Sequence, residues 1–292
     1  MSHAAIQPVE PAATAAVKFS RPTVVIRPTK GWAALNFAEL WKYRDLLSIL
    51  VERDIKLRYK QTALGVIWVV LQPLVAALIF AAIFGRFAKL PSDGSPYLLF
   101  VFCGLTAWSY FSQAVLRASN SLVSNSQLVS KVYFPRLLIP LAHTLAVLLD
   151  FLVMLIVLLA LMAMYRVMPT ARILALPFFL LLATLTATGV ALWFSALSVK
   201  YRDFMYALPF LIQVWMYASP VVYPASIVPG KWQAWYALNP VVGFVEGFRW
   251  AALGHSALDQ RMLVLTIALS IFAFLSGAFF FRRVERGFAD VI

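Results

Sequence analysis

Long apolar stretches alternate with short polar joints along the chain, and six of them approach the roughly 20 residues needed to cross a hydrocarbon core. They cover residues 64–84, 97–116, 137–165, 173–199, 205–223 and 262–281. The third and fourth exceed a perpendicular crossing, which predicts tilt or projection past the membrane. Ahead of them, 39–60 (ELWKYRDLLSILVERDIKLRYK) carries a helical period instead. Lys42, Asp45, Glu52, Arg53, Lys56 and Lys60 gather on one side; Leu40, Tyr43, Leu46, Leu47, Leu50, Val51 and Leu57 gather opposite. Too charged to span, this segment predicts an amphipathic helix in the cytosolic interface. Arg44, Asp54 and Arg58 interrupt its apolar side, and Asp54 and Arg58, four apart, can pair. Two readings fit: an interfacial helix with a surface ion pair, or a docking surface whose charges find a polar partner.

Proline punctuates the pattern. Pro73 lies inside the first stretch after Gln72, where it removes a backbone hydrogen bond and bends a helix. The freed carbonyl needs a donor, so that side of the helix is expected to face protein or water. Beyond the fifth stretch Pro220, Pro224, Pro229 and Pro240 cut the chain into apolar pieces too short to cross. Segment 224–258 therefore predicts short re-entrant helices on the outer side. Residues 1–36 hold Pro8, Pro11, Pro22 and Pro28 among Ala and Thr, with no compact apolar core before a cleavage site. They read as a flexible cytosolic tail ahead of a membrane domain over 37–292.

Composition supports a bilayer as solvent. Of 292 residues 62% are hydrophobic and 13% charged, against about a quarter charged in soluble domains. The net charge of +13 does not mark a nucleic-acid binder, because the cations sit at the ends of apolar runs and form no continuous face. With both termini cytosolic, 18 Lys and Arg fall inside and 7 outside, which orients the chain. Cys103 is the single cysteine, and the three histidines lack ligand spacing, so neither a disulfide nor a metal site is expected. No internal repeat is evident. The fold expected is all-α and integral to the membrane: six spans, an N-terminal interfacial helix and outer re-entrant helices.

One carboxylate stands out. Asp150 lies within the third stretch with no charge near it in sequence. Intramembrane carboxylates are costly and raise functional hypotheses. Proton coupling is one reading; an interhelical hydrogen bond to a Ser, Thr or Tyr is the other, and the lack of a His or Arg relay favours it.

Three motifs, taken in order, resemble one family. RDIKLRYKQTALGVIWVVLQPL (53–74) resembles the entry segment of ABC-2-type permeases that export polysaccharides such as O-antigen, capsule and teichoic acid. SNSQLVSKVYFPRLLIPLAH (124–143) resembles the cytosolic coupling region of that family. LSVKYRDFMYALPFLIQVWMYASPVVYP (197–224) with LNPVVGFVEGFRW (238–250) resembles its fourth loop, fifth span and outer re-entrant segment. The resemblance implies an inner-membrane homodimer and two copies of a separate ATP-binding subunit, which hold the ATP and Mg. It also implies a lipid-linked polysaccharide as substrate and no cofactor in this chain. In agreement, the chain has no G-x-x-x-x-G-K-[ST] phosphate loop.

By the same resemblance, Gln127, Lys131, Tyr133, Phe134 and Arg136 would contact the ATPase, with Tyr133 and Phe134 as anchors. Asp54, Lys200, Arg202 and Asp203 would join them. An ordinary basic loop is the plainer reading of the 117–136 residues, and simple interface anchoring that of Lys200, Arg202 and Asp203. Arg53, Lys56, Arg58, Tyr59 and Lys60 would receive an anionic headgroup, as guanidinium and ammonium groups bind phosphate oxygens; attraction to anionic membrane lipids is the plainer alternative. Trp68, Trp215, Tyr217, Tyr223, Trp232 and Trp235 would line a glycan path or gate, though most such aromatics simply pack or anchor at the interface. Rival readings are a membrane glycosyltransferase or ligase using lipid-linked sugar, a proton-driven exporter using Asp150, and an ABC-2 exporter of another lipid or drug.

Overall fold

The computed structural model describes residues 41–60, 65–132, 134–254 and 259–288; the N-terminal tail, Leu40 and Tyr133 lie outside them. The described chain is helical throughout, with no strand among these residues. α1 is Arg44–Lys60, α2 Gly65–Phe80 (continued by a π-helical stretch, Ala81–Phe87), and α3 Tyr97–Ser124. α4 is Ser126–Lys131, α5 Leu138–Ala146, α6 Leu148–Met164 and α7 Leu176–Lys200. α8 is Phe204–Tyr217, α9 Gly230–Ala237, α10 Pro240–Leu253 and α11 Gln260–Val284.

Among the described residues, five helical segments are long and apolar enough to cross a membrane: Val66–Phe87, Tyr97–Ser124, Leu138–Met164, Ala171–Lys200 and Gln260–Val284. The sixth expected span is different. α8 has 14 residues, about 21 Å of helix against a core of about 30 Å, and the chain leaves it at Ala218 for an irregular stretch. The second span outruns its expected end, since α3 continues to Ser124 and absorbs the start of the loop. The third divides at Val147 into α5 and α6.

Helix ends follow local chemistry. Asn239 caps α10 by accepting from the Val241 N–H, Pro240 fills the first turn, and Gly254 ends the helix at φ +74°. The Asp259 carboxylate caps α11 by accepting from the Arg261 N–H at 2.9 Å.

α3 is the central element, buried along most of its length against α2, α5, α6, α7 and α10. α7 and α11 pack most intimately. The Thr186 hydroxyl donates to Ser270 Oγ at 2.9 Å, Gly277 meets the backbone of Gly189, and Trp193 stacks on Phe280 at 4.0 Å. Glycines at this crossing bring the backbones together, the usual packing device between helices in lipid. These pairs run in register, so α7 and α11 are parallel; the Tyr110–Thr184 hydrogen bond at 2.7 Å and the shared cluster of Leu122, Leu192 and Ala196 align α3 with them.

That second cluster marks one end of the body. It joins Leu50 of α1, Leu122, Val129, Phe134, Leu138, Val199, Phe281 and Phe288. Both ends of the described chain therefore meet the C-terminal ends of α3, α7 and α11.

Candidate functional site

α1 lies against α5 with Tyr43, Leu46, Leu47, Leu50 and Val51 on the second cluster, while Leu57 of the expected apolar stripe stays exposed. Its interrupting charges find partners within the chain. Arg53 donates to Asp54 Oδ1 at 2.8 Å and to Asn125 Oδ1 at 3.0 Å. His143 Nδ1 faces both the Ile139 carbonyl at 3.0 Å and Asp54 Oδ2 at 3.1 Å. One ring nitrogen serves one of them, and the carbonyl takes the hydrogen bond, leaving Asp54 Oδ2 without one. Arg58 forms an ion pair with Asp150, and the Tyr59 hydroxyl donates to the other Asp150 oxygen. The pair expected between Asp54 and Arg58 is thus not formed, because a buried carboxylate 92 residues further on draws Arg58 instead. Asp150 does receive a tyrosine hydroxyl, but its charged partner is Arg58. Burial and the neighbouring Arg117 guanidinium pull Arg58 down to about 10, so it stays a cation at neutral pH.

A cavity of about 460 Å³ opens beside this junction. Trp68, Gln72, Pro73 and Ala76 of α2 form one wall. Leu105, Trp108, Ser109, Gln113 and Arg117 of α3 form the second, and Asp150, Phe151 and Met154 of α6 the third. Arg58 lines it as well. Pro73 and Val69, the residue four earlier whose carbonyl the proline leaves unpaired, both line this cavity, as the expected facing toward protein or water requires. Arg117 lies just past the apolar stretch 97–116 and so escapes the sequence pattern; the signal available was Gln113 four residues before it, since Arg117 Nε donates to Gln113 Oε1 at 3.3 Å.

At the far end of α3 sits a second ionic group. Arg249 is 1% exposed. It donates to Glu246 Oε1 at 3.0 Å and to the carbonyls of Val221 (2.5 Å), Phe100 (3.4 Å) and Tyr223 (3.4 Å). Its guanidinium also lies 3.7 Å from the Phe100 ring centroid. Glu246 accepts from the Ala225 N–H at 3.2 Å. Burial raises Glu246 while Arg249 opposes that shift. Three apart on one helix, Glu246 and Arg249 form an ion pair, and it pins the 221–225 turn to α3.

Comparison with known proteins decides the class. The model of the family described as "ABC-2 type transporter" matches residues 45–253. The chain belongs to the ABC-2 type transporter family. It is similar to the O-antigen export system permease protein RfbA of Myxococcus xanthus, 27% identical over 256 residues, covering 87% of this chain and 98% of that one. The protein of the same name from Klebsiella pneumoniae is 25% identical, with 85% and 95% covered. The polysialic acid transport protein KpsM of Escherichia coli is 23% identical, with 80% and 91% covered. Family and relatives indicate an ABC transport permease of the polysaccharide-export kind rather than an enzyme, a multi-pass membrane protein, and a partnership with an ATP-binding subunit.

Within this ABC-2 permease the other expected site residues divide. Asn125 leads into the short helix α4, after which the chain turns extended at Val132. Gln127, Lys131 and Val132 are exposed there. Phe134 is turned inward, 6% exposed within the second cluster, so its anchoring is to its own chain. Arg136 is tied to the end of α11, its Nη1 donating to the Glu285 carbonyl at 2.8 Å. Lys200, Arg202 and Asp203 are exposed at the same end. Lys56 pairs with Glu52 at 2.5 Å on the exposed side of α1, and Lys60 is exposed too. Of the aromatics, Trp68 lines the cavity. Trp215 is fixed by donating to Asn239 Oδ1 at 2.9 Å and by its edge contact with Phe111. Tyr223 donates to the Tyr217 carbonyl at 3.0 Å, whereas Tyr217, Trp232 and Trp235 are exposed.

Proposed function

We propose that this chain is the membrane subunit of an ATP-driven exporter that moves lipid-linked polysaccharide from the cytosolic to the outer side of the inner membrane. It acts as a homodimer with two copies of a separate ATP-binding subunit, which carry the ATP and Mg. The observation that carries the reading is the likeness to O-antigen export permeases along nearly their whole length.

The arrangement of helices supports six crossings with both termini cytosolic. α7 and α11 are parallel, so the chain between Lys200 and Gln260 must return to the opposite end before α11 begins. α8 and the stretch to Pro224 make that return. α9 and α10 then form a re-entrant hairpin: the Asn239 side-chain amide between them donates to Ser219 Oγ at 2.9 Å, and α10 climbs back to Arg249. On the cytosolic end, Gln127, Lys131, Lys200, Arg202 and Asp203 offer an exposed polar face to the ATPase, while the buried Phe134 holds α4 rigidly to α1 and α11. ATP-driven movement of the motor is passed through these contacts to the spans. Exposed aromatics on α8 and α9 suit a glycan path, since aromatic faces can hold sugars without many charges.

The test is to purify the tagged chain from its native membrane in mild detergent and identify the soluble chains retained. A phosphate-loop ATPase at one copy per permease is expected. Its absence from an intact dimer would overturn the reading in favour of a membrane glycosyltransferase or a proton-coupled exporter.

A further inference from the structure

The cations expected to receive an anionic headgroup are largely engaged elsewhere: Arg53 with Asp54 and Asn125, Arg58 with Asp150, Lys56 with Glu52. Arg117 is not. Among the described residues its hydrogen bond is the 3.3 Å contact with Gln113, and no carboxylate lies within ion-pair distance. Asp54 and Tyr59 act on it at longer range, but Asp54 is already paired with Arg53. Arg117 and Arg58 also act on each other across the cavity they line. With Asp150 cancelling Arg58, the cavity keeps one uncompensated guanidinium in a half-buried, mostly apolar setting. Such a charge is expensive unless an anion meets it.

We infer that this cavity binds the phosphate of a membrane lipid, with Arg117 as the guanidinium that contacts its oxygens. The volume, about 460 Å³, is within the range of small-molecule sites. Its lining is mixed, as an amphiphile needs: Arg117, Gln113 and the Arg58–Asp150 pair are its charged and amide groups, and Leu105, Trp108, Phe151 and Met154 supply apolar wall. α2, which forms one wall, is exposed along most of its other face, with Val66, Ile67, Leu71 and Val75 available to hydrocarbon. A guanidinium fork suits phosphate oxygens and would hold them more firmly than an ammonium. The inference rests on the export reading for the lipid's identity, a polyprenyl-type carrier, but not for its phosphate chemistry.

The experiment uses the full chain in phosphatidylcholine nanodiscs, titrated separately with farnesyl pyrophosphate, inorganic pyrophosphate and phosphatidylglycerol while tryptophan fluorescence is followed. Farnesyl pyrophosphate is expected to give saturable quenching that Trp68→Phe with Trp108→Phe abolishes. Arg117→Gln should weaken it by about tenfold to a hundredfold, as loss of a charge-assisted pair would. Arg117→Lys should fall between, and Lys42→Gln, which removes an exposed cation just ahead of α1, should bind as the parent does. Equal binding of phosphatidylglycerol would support the phosphate site and assign it to bulk lipid. Equal binding of inorganic pyrophosphate would overturn the amphiphile. Quenching that is absent, or unchanged by Arg117→Gln, would overturn the site. Retention of the ATPase is scored on the same preparation, so a failed site with the motor bound leaves the export reading standing.

Discussion

Two buried arginine–carboxylate pairs flank opposite ends of α3, and they are built on different plans. Arg249 and Glu246 belong to one helix, three residues apart, and carbonyls from α3 and the 221–225 turn take the remaining guanidinium donors. Arg58 and Asp150 come from helices 92 residues apart and meet beside an open cavity. The first pair adjusts to nothing: whatever moves α10 must move α3 with it. The second ties α1 to α6 through two side chains, so the α1–α6 joint can part without breaking a helix. Fixed clamp and separable joint are the contrast, and it puts the rigid contact where α10 meets the start of α3 and the contact that can part at the end proposed to face the motor.

The strongest way to break this contrast is Arg249→Met. It leaves Glu246 without its cation and the Val221 and Tyr223 carbonyls without donors, a loss of about 3–5 kcal/mol for a broken buried pair. We expect little monodisperse protein by size-exclusion chromatography and a sharply lowered unfolding midpoint; parental stability would refute the clamp. Asp150→Leu comes next, costing about 2–3 kcal/mol by removing the carboxylate that pairs with Arg58 and accepts from Tyr59 beside a cavity rather than deep inside. Combining it with Arg58→Met should restore most of the stability in thermal unfolding while export stays lost. A double variant no more stable than either single one would show that the joint is more than an ion pair.

Gly104→Ala sharpens the comparison from the other side. A methyl there would lie 2.6 Å from Arg249 Nη2 and 2.5 Å from the Val221 carbonyl, so overpacking should cost about 1–3 kcal/mol, read as a lower unfolding midpoint. The smallest effect belongs to Gln127→Ala with Lys131→Ala. As exposed positions these should change stability by less than about 0.5 kcal/mol, yet reduce ATPase retention on the purified permease. Full retention would remove α4 from the motor contact.

Hydropathy made five of the crossings legible, because length and polarity alone decide whether a helix can span. It could not tell lipid-facing from protein-facing apolar residues. α10 is almost wholly buried, packed against α3, α7 and α11, although its sequence reads like the other short apolar pieces of 224–258. Phe134 has the same history: next to a polar loop it suggests a partner-facing anchor, and only the convergence of α1, α5 and α11 shows what it fills. Asp150 was conspicuous as a lone charge, but its partner lies so far away in the chain that no periodicity connects them. Arg117 was hidden because apolarity fades at Leu116 while the helix continues for two more turns.

The parallel course of α3, α7 and α11 has an electrostatic consequence. A helix C-terminus carries about half a negative charge on its unpaired carbonyls, and three such ends converge at one face of this body. Lys200 occupies the last turn of α7, and Arg282 and Arg283 that of α11. Cations that read as topology signals therefore also neutralise aligned peptide dipoles, and the fold would call for them there even in a bilayer indifferent to which face is which.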